Sequence, residues 1–111
     1  TLSLHDALPI SNMFFSMKIV DMYQKVVAVV CQTTGIDEYS MFHSNKEVCV
    51  DARSILVNVL TERGITEGEI SYLTGLTQQC VNKLKNNFSI RTRKWSVTTN
   101  LQSVYNELTT I

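Results

Sequence analysis

Most of what would point this chain toward familiar chemistry is scarce or missing. One proline and four glycines are too few for the turns of an all-β sandwich. Cys31, Cys49 and Cys80 are odd in number, far apart and without a C-x-x-C pair. That excludes a disulfide framework and reads as free thiols in a reducing, cytoplasmic compartment. His5 and His43 are the only histidines, so no zinc spacing and no Ser/His/Asp or Cys/His constellation can be built. No G-x-x-x-x-G-K-[ST] loop is present to hold a nucleotide. No apolar run is long enough to span a membrane, and Asp21 and Lys25 interrupt the best one. There is no internal repeat and no low-complexity segment. The carboxylates read as solvated helix faces. These absences argue against an enzyme, a cofactor and a membrane partner. The 111 residues suit a single domain.

Net charge is also absent, but only as a sum. Residues 36–70 hold seven acids against Lys46, Arg53 and Arg63, a balance of minus four. Residues 71–111 hold Lys83, Lys85, Arg91, Arg93 and Lys94 against Glu107 alone, a balance of plus four. A local basic footprint is what a nucleic-acid backbone responds to.

The apolar pattern has helical period throughout and predicts an all-α bundle of five to six helices. A first helix covers 17–32, with Ile19, Met22, Tyr23, Val26, Val27 and Val30 in phase and Gly35 as its stop. A short helix over 36–42 and a polar break at 43–46, which includes His43, follow. A second long helix runs from Glu47 to Arg63 with an apolar stripe of Val48, Ala52, Ile55, Leu56, Val59 and Leu60, and Gly64 ends it. Thr66 and Glu69 form a capping box for a helix reaching Thr74. Thr77 caps another, reaching Asn87. The stretch FSIRTRKW (88–95) reads as loop or short strand, charge outward, with the Trp95 indole turned into the core. Val97, Leu101, Val104, Tyr105 and Leu108 mark a closing helix.

The residues ISYLTGLTQQCVNKL (70–84) carry the functional signal. A helix-turn-helix needs a small residue on its first helix, and Ser71 is there. It needs a turn residue tolerant of positive φ, which Gly75 supplies. Leu76 plugs the corner, Thr77 caps the second helix, and Val81 and Leu84 face Ile70 and Leu73. Cys80 is expected beside the partner helix. The outward set is then Thr77, Gln78, Gln79, Asn82, Lys83, Lys85 and Asn86, without an acid from Thr74 to Lys94. Amides suit an adenine edge, and lysines suit guanine or phosphate. Arg91, Arg93 and Lys94 would add backbone contacts. The expected partner is double-stranded DNA, and the expected location is the nucleoid.

VDARSILVNVLTERGITEGEISYLTG (50–75) resembles the C-terminal DNA-binding domain of the bacterial chromosomal replication initiator, DnaA. Ala52, Arg53, Ile55 and Leu60 match that family's ARQIAMYL segment, and Ile70 matches the IG that enters its helix-turn-helix. VVCQTTGIDEYSMFHSNK (29–46) is similar to its first helix, short second helix and basic loop, and helix 97–108 has a counterpart. The resemblance covers roughly residues 19–108. It implies replication-initiator-like or transcription-regulator-like DNA binding through a helix-turn-helix at 66–87. The family's signature GG-[RK]-DH-[TS]-T-V is replaced by TGLTQQCV, in which Gly75 and Val81 survive, so the usual initiator box is not the expected target. The family's basic loop is reduced to Ser44, Asn45 and Lys46, leaving Lys46 as the candidate minor-groove contact. A stand-alone protein of a phage or mobile element is the expected source.

Two further expectations concern the N-terminal part. TLSLHDALPI (1–10) resembles a one-frame translation of a sequencing adapter, so residues 1–11 are expected to be non-native and 12–111 to form the domain. The apolar face of residues 13–30 could serve a homodimer or a protein partner. The competing functional class is therefore a helical protein-interaction adaptor that does not bind DNA.

Overall fold

The computed structural model describes residues 10–109, with side chains from residue 18 onward. The adapter-like segment therefore lies almost wholly outside the described residues. Among the described residues there are seven helices and no strand: α1 (Ile10–Thr34), α2 (Glu38–His43), α3 (Glu47–Glu62), α4 (Glu67–Thr74), α5 (Gln78–Asn86), α6 (Phe88–Arg91) and α7 (Trp95–Thr109). None is long and apolar enough to cross a membrane.

The helix stops fall where the sequence places them. Gly35, Gly64 and Gly75 all take positive φ, a conformation that ends a helix at little steric cost when no Cβ is present. The Thr66–Glu69 capping box forms in both directions, the Thr66 amide donating to Glu69 Oε1 at 2.9 Å and the Glu69 amide to Thr66 Oγ1 at 3.2 Å.

The centre of the fold differs from the expected one-sided amphipathic helix. α3 packs against all six other helices. It is buried nearly all round: Cys49, Ser54 and Val57 are inside together with Ala52, Ile55, Leu56, Val59 and Leu60. Val48, expected in the stripe, is 59% exposed because it lies in the first turn, before the neighbouring helices close over α3. Asp51 and Arg53 are buried too, which corrects the reading of this segment's acids as solvated faces. Arg53 is satisfied locally. Its Nε donates to the Met41 carbonyl at 2.7 Å and its Nη2 to the Ser44 carbonyl at 2.6 Å. A cation there meets carbonyls that the end of α2 leaves free.

α1 extends past both ends of the expected 17–32. His43 belongs to α2, its ring centroid 4.3 Å from that of Tyr39. The 88–95 segment, read as loop or strand, starts with the short helix α6. In a strand Phe88 and Ile90 would share a face. Here Phe88 is buried and Ile90 is 57% exposed, and helical spacing turns Arg91 toward α3 beside Phe88. Trp95 is 80% exposed instead of anchoring the core. It starts α7 two positions before Val97, and at about 100° per residue that points it away from the buried Val97–Val104 side.

Candidate nucleic-acid interface

The corner between α4 and α5 is held by short side-chain-to-backbone bonds. Ser71 Oγ donates to the Leu76 carbonyl at 2.6 Å, which is why a small polar residue suits that position. Thr74 Oγ1 donates to the Ile70 carbonyl at 2.7 Å and accepts the Leu76 amide at 3.1 Å. Gly75, at φ 81°, reverses the chain. Thr77 Oγ1 then accepts the Cys80 amide at 3.1 Å and starts α5. Ile70, Val81 and Leu84 are buried, with Leu73 and Leu76 packed against the core. Gly75 takes the expected positive φ, Thr77 caps α5 as expected, and Ile70, Val81 and Leu84 are buried as expected.

The outward side of α5 divides into two stripes. Gln78, Asn82 and Lys85, spaced four and three apart, lean toward the first turn of α4. Glu67 Oε2 accepts from Asn82 Nδ2 at 3.1 Å and from Lys85 Nζ at 2.9 Å. A Cβ added at Gly68 would stand 3.2 Å from Gln78 Nε2, so the Gln78 amide lies against the bare backbone there. Gln79, Lys83 and Asn86 form the second stripe. All three are exposed, and Asn86 Nδ2 donates to Asn82 Oδ1 at 2.9 Å. Gln79 and Lys83 have no side-chain partner among the described residues.

The basic segment after α5 is only partly available. Arg91 Nη1 donates to Asp51 Oδ1 at 2.8 Å and to Glu47 Oε2 at 3.2 Å. Lys94 Nζ bonds Glu47 and both Asp51 oxygens. These two cations, expected on a DNA backbone, instead tie α6 and the start of α7 to α3. Lys46, Lys83 and Arg93 remain exposed and form no ion pair among the described residues. Lys46 precedes the first turn of α3. One turn later, Val50 shares a shallow groove with Cys80, Lys83, Leu84, Asn87 and Arg91. Cys80 is half-buried there, beside Val50 of α3.

The charges respond to these contacts. Hydrogen bonds from Lys85 and then Asn82 hold the Glu67 carboxyl below its usual range. Lys94, by hydrogen bond and charge, does the same for Glu47 and is itself raised, by its bonds to Glu47 and Asp51.

Comparison with known proteins places the chain in no family. No family model matches it, and no curated protein or solved structure is similar to it.

Sequence reasoning did not find Glu67, Glu47 or Asp51 as partners of the basic residues. Glu67 is 18 residues from Lys85, and Asp51 is 40 from Arg91. No local spacing rule reaches that far. The available signal is the opposite charge balance of the two halves, which suits internal pairing as well as an external partner.

Proposed function

We propose that this protein binds double-stranded DNA sequence-specifically through a helix-turn-helix formed by α4 and α5, in the manner of the DnaA C-terminal domain it resembles. One observation carries the reading. α5 is an N-capped helix, fixed at its start by a rigid turn, that presents Gln79 and Lys83 unpartnered to solvent beside Gln78, Asn82 and Asn86. A helix with amides and a lysine on its open face fits the width and the donor–acceptor pattern of the major groove. Of the candidate contacts, Lys46, Lys83 and Arg93 are free for phosphates. Lys85, Arg91 and Lys94 are drawn away from that role by their acids. This leaves few phosphate contacts, so affinity should be modest and its salt dependence shallow.

The test is selection. The full chain is incubated with a randomised duplex pool at low salt, retained duplexes are sequenced, and binding is titrated by fluorescence anisotropy at several salt concentrations. Enrichment of a short motif, with affinity falling as salt rises, supports the reading. Absence of binding at low salt overturns it.

A further inference from the structure

The amide of Asn82 is wired at both ends. Its Nδ2 donates to Glu67 Oε2 at 3.1 Å, and its Oδ1 accepts from Asn86 Nδ2 at 2.9 Å. An asparagine amide exchanges donor for acceptor when it turns over by 180°, and with that exchange goes the base it prefers. Here the turn is blocked. It would aim Oδ1 at a carboxylate, which can only accept, replacing a hydrogen bond by a repulsion; the exposed Asn86 amide can turn with it, so the Glu67 contact is the one that enforces the orientation. The same carboxylate oxygen holds Lys85 Nζ at 2.9 Å. Lys85 occupies the last turn of α5, on the stripe next to the free Lys83 stripe. One acid on α4 therefore acts on two members of the α5 surface.

We propose that Glu67 is a specificity-determining positioning residue of the α5 interface: it fixes Asn82 in a single donor–acceptor orientation and withholds Lys85 from DNA phosphates. This rests on the DNA-binding reading of α5. The geometry is suited to the task. Glu67 sits in the first turn of α4, where a carboxylate is favoured by the free amides of the helix start, and the capping box fixes that turn. Its position does not depend on DNA being present. An acid next to a DNA-binding surface lowers affinity for every sequence, and what it returns is discrimination.

The experiment compares wild type, Glu67→Gln, Lys85→Met and the double variant, all as the full chain. Each is measured against the duplex selected by wild type and its single-base variants, at several salt concentrations. Glu67→Gln offers Asn82 a neutral partner that can donate or accept. It should cut the preference at one base position by roughly tenfold, tighten binding to all duplexes, and steepen the salt slope by about one. Lys85→Met alone should leave the slope unchanged, and in the double variant it should cancel the steepening. Thermal unfolding confirms that each variant is folded. Unchanged base preference and slope in a folded Glu67→Gln protein would overturn the Glu67 role while leaving DNA binding intact. A loss of slope in Lys85→Met alone would show that Lys85 already reaches phosphate and would overturn it too. A wild type that selects no duplex would remove the DNA reading itself, and the Glu67 role with it.

Discussion

Two ion-paired clusters join the acidic and basic halves of this chain, and they differ in depth. At the first, Glu67 holds Lys85 with both side chains about a third exposed. At the second, Asp51 is 12% exposed at its side chain and holds Arg91 and Lys94, with Glu47 bridging above it. The first cluster aligns the surface of one helix. The second fastens α6 and α7 to the central helix. Charge complementarity along a sequence can therefore be internal, and its energetic meaning depends on how much water each pair keeps.

Stability should separate the clusters most strongly. Asp51→Ala strips a buried partner from Arg91, whose Nε is already buried without a hydrogen bond. We expect a loss of about 3 kcal/mol in urea unfolding, the cost of breaking a buried pair from one side. Glu67→Ala should leave the urea midpoint close to wild type. Equal losses at the two sites would erase the distinction.

DNA recognition should respond in the other direction. Gln79→Ala, on the free stripe, should cost about 1–3 kcal/mol of discrimination at one base position and leave stability unchanged. A uniform loss over all sequences would assign Gln79 to backbone contact.

A smaller effect is expected at the seat of Gln78. Gly68→Ala exchanges a helical glycine for the best helix former, and the group it crowds is the mobile end of an exposed glutamine. Stability should rise by about 0.5–1 kcal/mol in thermal unfolding. A fall would show that the Gln78 amide cannot move.

Salt dependence gives a finer comparison. Arg93→Ala should weaken all duplexes alike and reduce the salt slope by about one, because Arg93 is unpaired. Lys94→Met should leave the slope unchanged, because both its acids already hold it. The reverse pattern would exchange their roles.

The acid limb of stability is shared between the clusters. Glu47 and Glu67 are both held below their ordinary value of 4.5, Glu47 by its bond to Lys94 and Glu67 by its bond to Lys85. Their stabilisation is complete above that value and is lost as pH falls through the lower folded values. Glu47→Gln and Glu67→Gln together should flatten the loss of stability below about pH 4, read by urea midpoints across pH. An unchanged acid limb would mean that other carboxylates set it.

The contrast also marks what could be read from the chain. Helix stops and caps were legible because they depend on neighbours three or four positions away: Gly75 at its positive φ, Thr66 with Glu69, Thr77 with the Cys80 amide. The α4–α5 corner was legible for the same reason. The centrality of α3 was not, since a stripe pattern cannot show that polar Asp51, Arg53 and Ser54 are enclosed by other helices. Trp95 misled because its size suggested burial, whereas the phase of α7 turns it outward. Of the candidate interface, the residue types on α5 were visible, but their division into a held stripe and a free stripe was not. That division is imposed by α4, through contacts that no local pattern encodes.

The most direct test of the account is a titration of the isotope-labelled full chain with its selected duplex, followed by NMR of the side-chain amides and backbone. Binding through α5 predicts that the Gln79 side-chain amide and the Lys83 and Asn86 backbone signals shift most, with residues 19–30 of α1 unmoved. The largest shifts on α1 or α2, with the α5 signals in place, would contradict it.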